Sequence, residues 1–216
     1  MFINRNSHPT PHRYRQAFPN WTLNIIPLPD KLSLEPITIR INHQLCLTIH
    51  SDFVEDRTER GGKLRILVII DEYTRQCLAT RVEPSIPASV VIEVLEWLFL
   101  TRGVPKYIRS DSGPEFISRA VCQWLKESGC SNLFIKPGSP WENGYIESFN
   151  DKLRGECLNR EVFRNGREAQ TIVEAFRQEY NNYRPHSSLG YLTPVEFARR
   201  YYNQNQVTEV KHVNYL

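Results

Sequence analysis

The stretch that decides the fold opens Lys106-Tyr-Ile-Arg-Ser-Asp-Ser-Gly-Pro-Glu-Phe116 and closes Pro137-Gly-Ser-Pro-Trp-Glu-Asn-Gly-Tyr-Ile-Glu-Ser-Phe-Asn150. Residues 106–110 read as a short strand that delivers Asp111. A helix is expected over Phe116–Glu127, packing through Ile117, Ala120, Val121, Trp124 and Leu125. Ser131–Ile135 is the next strand, and a helix running to about Arg154 carries Glu147. Each carboxylate sits beside what reads as a helix start. Ser112 and Glu115 have capping-box spacing, as do Ser139 and Glu142, and Pro140 falls at the first helical position. Thirty-five residues separate Asp111 from Glu147. On the second helix Asn143, Glu147, Asp151 and Arg154 share a face, while Ile146, Phe149 and Leu153 form a neighbouring apolar one. A carboxylate fixed beside an anchoring apolar face is how a rigid element presents a metal ligand.

Upstream, Leu45–Val54 alternates as a strand, with Leu47, Ile49 and Phe53 on one side and His50 and Asp52 on the other. Residues 56–63, containing Gly61-Gly62, read as a hairpin connection. Leu64–Ile70 is a continuous apolar strand ending in Asp71, and Gln76–Val82 is a third strand. Ala88–Thr101 follows as a helix with Val91, Val94, Leu95 and Leu98 inward. The order predicts an α/β fold with a mixed sheet: three antiparallel strands, then two parallel ones, flanked by helices.

Downstream, Arg167–Asn182 carries Ala169, Ile172, Val173, Phe176 and Tyr180 at core spacing, and a last helix starts after Thr193-Pro194 and runs to Tyr201. Between them Tyr180–Gly190 is a loop crowded with donors. The division predicted is a core over residues 45–160 and a helical C-terminal extension over residues 161–216. Residues 1–44 hold six of the fourteen prolines and no helical period, so they read as a disordered or aberrant leader.

Composition narrows the classes. At 216 residues with 40% hydrophobic content, the chain can bury one sizeable core. Five scattered cysteines, never spaced Cys-x-x-Cys, argue for a reducing compartment and against a disulfide framework. His8 and His12 have no cysteine pair to complete a zinc site. The apolar runs fall short of a membrane span and the N-terminus lacks a signal core, so a cytoplasmic chain with no membrane partner is expected. A net charge of +3 permits a polyanionic partner without demanding one.

Right-handed crossovers between parallel strands would bring Asp52 and Asp111 together, with Glu147 arriving from a helix. Hard anionic oxygens suit Mg²⁺ (or Mn²⁺) and phosphoryl chemistry. From the residues alone, Asp71 competes with Asp52 for the first position, and Asp151 and Glu142 compete with Glu147.

Asp111–Phe116, Pro137–Asn150, Leu153–Asn159, Tyr180–Gly190 and Leu67–Arg75 together resemble the integrase-type transposases of the third bacterial insertion-sequence family, whose core is similar to retroviral integrase. The resemblance implies a ribonuclease H-like fold and an Asp-Asp-Glu metal triad. By position the triad is Asp52, Asp111 and Glu147, and Asn143, Arg154, Arg184 and His186 become candidate DNA contacts. Two departures stand out: Ser112 follows the second aspartate where asparagine is common, and Ile49 stands where the family has tryptophan. The family's upstream helix-turn-helix has no counterpart in residues 1–44, which therefore read as out-of-frame translation. The implied activity is Mg²⁺-dependent cleavage and joining of transposon ends to target DNA by a homo-oligomer. The rival expectation is a non-catalytic truncated remnant that binds DNA or the full-length transposase.

Overall fold

The computed structural model describes residues 48–111, 113–135 and 144–202, all within one compact unit, Arg40–Leu216. The leader and the capping residues Ser112, Ser139, Pro140 and Glu142 lie outside the described residues.

Five strands form one sheet: β1 (Thr48–Arg57), β2 (Lys63–Asp71), β3 (Cys77–Glu83), β4 (Tyr107–Ser110) and β5 (Ser131–Phe134). Their order is β3-β2-β1-β4-β5. The β1–β2 and β2–β3 pairs are antiparallel, and β1–β4 and β4–β5 are parallel, as the element order predicts. β1 runs three residues past its expected end at Val54, because Glu55, Asp56 and Arg57 still pair with Arg65, Leu64 and Lys63 of β2. β1 is the central strand. That is why Ile49, His50 and Ser51 are all buried and the expected two-sided alternation is lost at its start.

Helices cover both faces. On one side Leu64, Ile66, Val68 and Ile70 of β2 pack in a single cluster with Ile146, Phe149 and Leu153 of α3 (Gly144–Leu153) and with Ala169, Val173, Phe176 and Tyr180 of α4 (Gly166–Asn182). The intervening Leu67 and Ile69 are equally buried, on the other face. The helices beyond β3 and β4, α1 (Ala88–Arg102) and α2 (Arg119–Glu127), bury Leu95, Leu98, Val121 and Leu125. A last helix, α5, covers residues 194–202.

β3 is an edge strand, and α4 occupies its unpaired backbone groups. The Val82 N–H donates to Gln170 Oε1 (2.7 Å), Gln170 Nε2 donates to Thr80 O (3.2 Å), and Arg177 Nη1 donates to Cys77 O (2.8 Å). Asn181 completes the row, accepting from Cys77 N (2.9 Å) and donating to Cys77 O (2.8 Å). An edge satisfied by side chains is closed to pairing with another chain.

One helix start differs from expectation, and one helix end carries an addition. α2 starts at Arg119 rather than Phe116, leaving Ile117 and Ala120 exposed. The reason is local: Ser118 Oγ accepts from Val121 N (3.3 Å), while Glu115, expected in a capping box, pairs instead with Arg65. The α-helix that carries Glu147 ends at Leu153, next to the expected Arg154. The chain then widens into a π-helical turn, Arg154–Leu158, closed by Asn159 N–H to Arg154 O (2.9 Å). The wider turn lets consecutive residues Cys157 and Leu158 both face the core.

Candidate functional site

The last register pair of the parallel β1–β4 ladder is Ser51 with Ser110, so Asp52 and Asp111 are the next residues on neighbouring strands. Ser51 Oγ donates to Arg109 O (3.3 Å), a further tie across that seam. Asp111 is held by a short turn in which Oδ1 accepts from Gly113 N (3.0 Å). A Cβ on Gly113 would come 2.8 Å from that oxygen, so a larger residue there would push the Asp111 carboxylate out of this position. The segment after it is pinned to the sheet. Arg65 Nη2 donates to Glu115 Oε2 (3.1 Å), the Arg65 guanidinium lies 4.1 Å over the Phe53 ring, and Phe53 stacks on Phe116 at 5.1 Å.

Asp52 Oδ1 accepts from Phe53 N (2.7 Å) and Oδ2 accepts from Asn150 Nδ2 (2.8 Å). Burial raises its pKa first of all. The Phe53 N–H opposes that, the Asp111 carboxylate raises it further, and His50 and Asn150 lower it. The two aspartates therefore repel one another across the end of the sheet.

Glu147 is exposed on α3, one turn before Asn150. Ile146, Phe149 and Leu153 are fully buried and set the rotation of that helix, as its apolar face predicts. Among the described residues no three His, Cys, Asp or Glu side chains are gathered closely enough to hold a metal ion. The structure thus brings Asp52 and Asp111 together and places Glu147 on the helix bonded to Asp52, without closing a cage of three. The donor chemistry still fits a hard cation. Two carboxylates in mutual repulsion are stabilised by a divalent ion more than by water, and all their ligand atoms are oxygen.

The competitors are separated by geometry. Asp71 pairs with Ile49 while Asp52 pairs with Val68, three strand positions or about 10 Å apart. Asp71 is buried and its Oδ1 accepts from Tyr73 N (2.8 Å) and Thr74 N (3.1 Å), the work of a turn former. Asp151 is exposed on α3, and Asn143 lies outside the described residues. Arg154 Nη2 donates to Glu55 O (3.1 Å). Arg184 forms an ion pair with Glu156, and His186 pairs with Leu192 in a short bridge with its ring edge-on to Tyr180 at 4.9 Å.

Sequence reading missed Asn150 and His50. Asn150 could have been found, since it is three residues after Glu147 and shares its side of the helix. His50 is fully buried, with Nδ1 3.3 Å from Glu72 Oε1, the same oxygen that accepts from Arg109 Nε (2.7 Å). Burial works to raise the Glu72 pKa, but His50 and Arg109 outweigh it and hold the carboxyl below the usual range. No signal in the sequence pairs a residue of β1 with one in the β2–β3 turn.

Residues 46–140 and 128–194 each match an integrase core domain family. Over 153 residues the chain is 39% identical to an uncharacterized 39.2 kDa protein of insertion element IS476 from Xanthomonas euvesicatoria, covering 71% of this chain and 44% of that one. Over 150 residues it is 41% identical to an uncharacterized 31.7 kDa protein of insertion element IS407 from Burkholderia multivorans, covering 69% and 54%. The transposase InsF for insertion sequence IS3A of Escherichia coli is 27% identical over 148 residues, covering 67% and 51%. The chain spans about half the length of the curated relatives it matches. Among solved structures, the catalytic core domain of BIV integrase superposes with a TM-score of 0.53 at 19% identity, covering 76% of this chain and 98% of that one. The HTLV-2 integrase catalytic core in complex with magnesium gives 0.55 at 13%, covering 70% and 95%. The fold is ribonuclease H-like.

Proposed function

The chain carries an integrase core of the insertion-sequence transposase type over residues 46–194, and from that premise we propose that it catalyses DNA cleavage and strand transfer during transposition. The observation that carries the reading is the placement of Asp52 and Asp111 on adjacent parallel strand ends, with Asn150 of the Glu147 helix bonded to Asp52.

Asp52, Asp111 and Glu147 would hold Mg²⁺ or Mn²⁺. When bound, such an ion supplies charge neutralisation at phosphodiester oxygens and lowers the barrier to attack by water or a 3′-hydroxyl. The chain's own residues do the positioning. The Gly113 N–H fixes the Asp111 rotamer, and Phe53 N–H and Asn150 fix that of Asp52. The buried face of α3 fixes the helix that carries Glu147. Arg154, Arg184 and His186, with Asn143, are the proposed DNA contacts; charge-assisted contacts to phosphate set register rather than read sequence. Residues 45–160 are proposed as the part that carries the catalytic residues, with α4 and α5 as an extension built onto it, α4 through the shared core. The partners are transposon ends and target DNA in the bacterial cytoplasm, and joining two ends to one target calls for a homo-oligomer on the DNA.

The test is nicking and joining of labelled end DNA with and without Mg²⁺. Asp111→Asn and Glu147→Gln keep side-chain shape but lose charge, so each should cost at least about 100-fold in joining while DNA binding persists. Substantial Mg²⁺-dependent joining by either variant defeats the assignment. A wild-type chain that binds DNA yet neither nicks nor joins it is the non-catalytic remnant instead.

A further inference from the structure

Two side chains sit on backbone that glycine alone adopts freely. Among the described residues, Arg75 and Tyr191 are the non-glycine positions with positive φ, both at 62°. A Cβ crowds the carbonyl in that region, so a bulky residue there is held against strain. Packing does not hold the Tyr191 ring, which is 76% exposed. Glycine would serve the turn better, and the ring adds nothing to the core. Tyr183, at the end of α4, is 79% exposed.

The segment Tyr183-Arg-Pro-His-Ser-Ser-Leu-Gly-Tyr191 between the two rings is a rigid knuckle. Tyr191 N–H donates to His186 O (2.8 Å), His186 N–H donates to Leu192 O (3.0 Å), and Leu189 is buried beneath. Its root is the Asn181 clamp on Cys77 and the edge contact of His186 with Tyr180.

Cations from three elements converge on it. Lys152 of α3, Arg184 of the knuckle and Arg75 of the β2–β3 turn all act electrostatically on His186, whose Nε2 is buried with no hydrogen-bond partner. Glu156 offsets one of these charges through its ion pair with Arg184. The Arg75 guanidinium lies 3.4 Å over the Tyr145 ring, and Lys152 Nζ donates to Ser148 Oγ (2.8 Å). Tyr145, Ser148 and Lys152 share one face of α3, separate from the face of Glu147, Asn150 and Arg154. The helix is about 10 Å across, so a strand leaving the carboxylates crosses only its width to reach the knuckle.

We propose that the knuckle, with Arg75 and Lys152, takes an unpaired DNA strand. The cations lie along its phosphates, and Tyr183 and Tyr191 stack on its bases. Exposed aromatics beside a positive track are the means by which single strands are held, because every base has a π-face while a duplex hides its own. The inference rests on the strand-transfer reading and names which part of the DNA this face holds.

The test uses the full chain in EDTA, binding a short fluorescein-labelled oligothymidylate or a blunt duplex of equal length. Tyr183→Ala and Tyr191→Gly should each weaken oligothymidylate binding by about 5- to 100-fold, with duplex affinity unchanged and tyrosine-to-phenylalanine variants close to wild type. Tyr191→Gly relieves the backbone, so it should melt no lower than wild type and its lost affinity is not unfolding. Wild-type affinity for oligothymidylate in both truncation variants, or an equal loss on duplex, overturns the proposal. The assay needs neither cation nor turnover. A failure of strand transfer would therefore defeat the catalytic reading and leave this result standing or falling by itself.

Discussion

Asn150 Nδ2 lies 2.8 Å from Asp52 Oδ2 and so ties α3 to the central strand. It is a bond between the element that carries Glu147 and the residue that opens the proposed triad. An acceptor that is charged makes such a bond worth more than a neutral one, about 1.5–3 kcal/mol.

Asn150→Ala should therefore lower joining by about 10- to 100-fold. The fold should survive, because Ile146, Phe149 and Leu153 still seat the helix. Asn150→Asp should do worse at low Mg²⁺, since it sets a third negative charge beside Asp52 and Asp111, and should recover partly as Mg²⁺ is raised. Joining rates across a Mg²⁺ titration check both statements. Equal rates for Asn150→Ala and wild type would show that the bond positions nothing.

Asp71 separates a turn former from a ligand. Asp71→Asn keeps an oxygen for the Tyr73 and Thr74 N–H groups and should leave joining near wild type. Asp71→Ala strands both donors and should lower stability by about 1–3 kcal/mol, read by urea denaturation. Loss of joining in a well-folded Asp71→Asn chain would mean that Asp71, and not Asp52, is the first carboxylate.

Arg184 faces two partners, Glu156 in the fold and phosphate in the proposed complex. If the second counts, Arg184→Ala should weaken binding to all DNA sequences alike and reduce the salt slope by about 1. Glu156→Gln frees the guanidinium and should strengthen binding. Lower melting temperatures in both variants with unchanged DNA affinity would make the pair structural only.

Acid should find out His186. Burial first, then Lys152 of α3, Arg184 of its own segment and Arg75 of the β2–β3 turn push the imidazole from 6.5 down to about 4. The Tyr180 ring of α4 packs against it. Between those values the unfolded chain binds the proton and the folded chain does not, so this group's contribution to stability falls as pH drops from about 6.5 to about 4. His186→Gln removes that contribution. The difference in melting temperature between wild type and variant should shrink across the window, whatever the carboxylates do in both. A constant difference would show that the imidazole is not held neutral.

Much of this architecture was legible in the chain because period and position are local properties. Ile146, Phe149 and Leu153 announce one helix face, the unbroken run Leu64–Ile70 announces a strand buried on both sides, and the element order predicts the mixed sheet. Spacing along one helix also puts Glu147 and Asn150 on one side. The candidate carboxylates Asp52 and Asp111 were legible through family likeness joined to the handedness of crossovers.

Tertiary structure decided what depends on charge and hydrogen bonding between distant residues. Arg65 draws Glu115 away from the helix start it could have capped, so α2 begins at Arg119 with Ser118 as its cap. His50, Glu72 and Arg109 meet inside the sheet although no pattern links them. Gln170, Arg177 and Asn181 read as an ordinary polar face, yet they are spent on the backbone of β3. Arg75 and Tyr191 look like unremarkable turn residues until their backbone is seen at φ 62°. Periodicity reports which side of an element faces the core. It carries no information about which polar group across a fold of this size will be within 3 Å of another, because that distance is fixed only when the elements have packed.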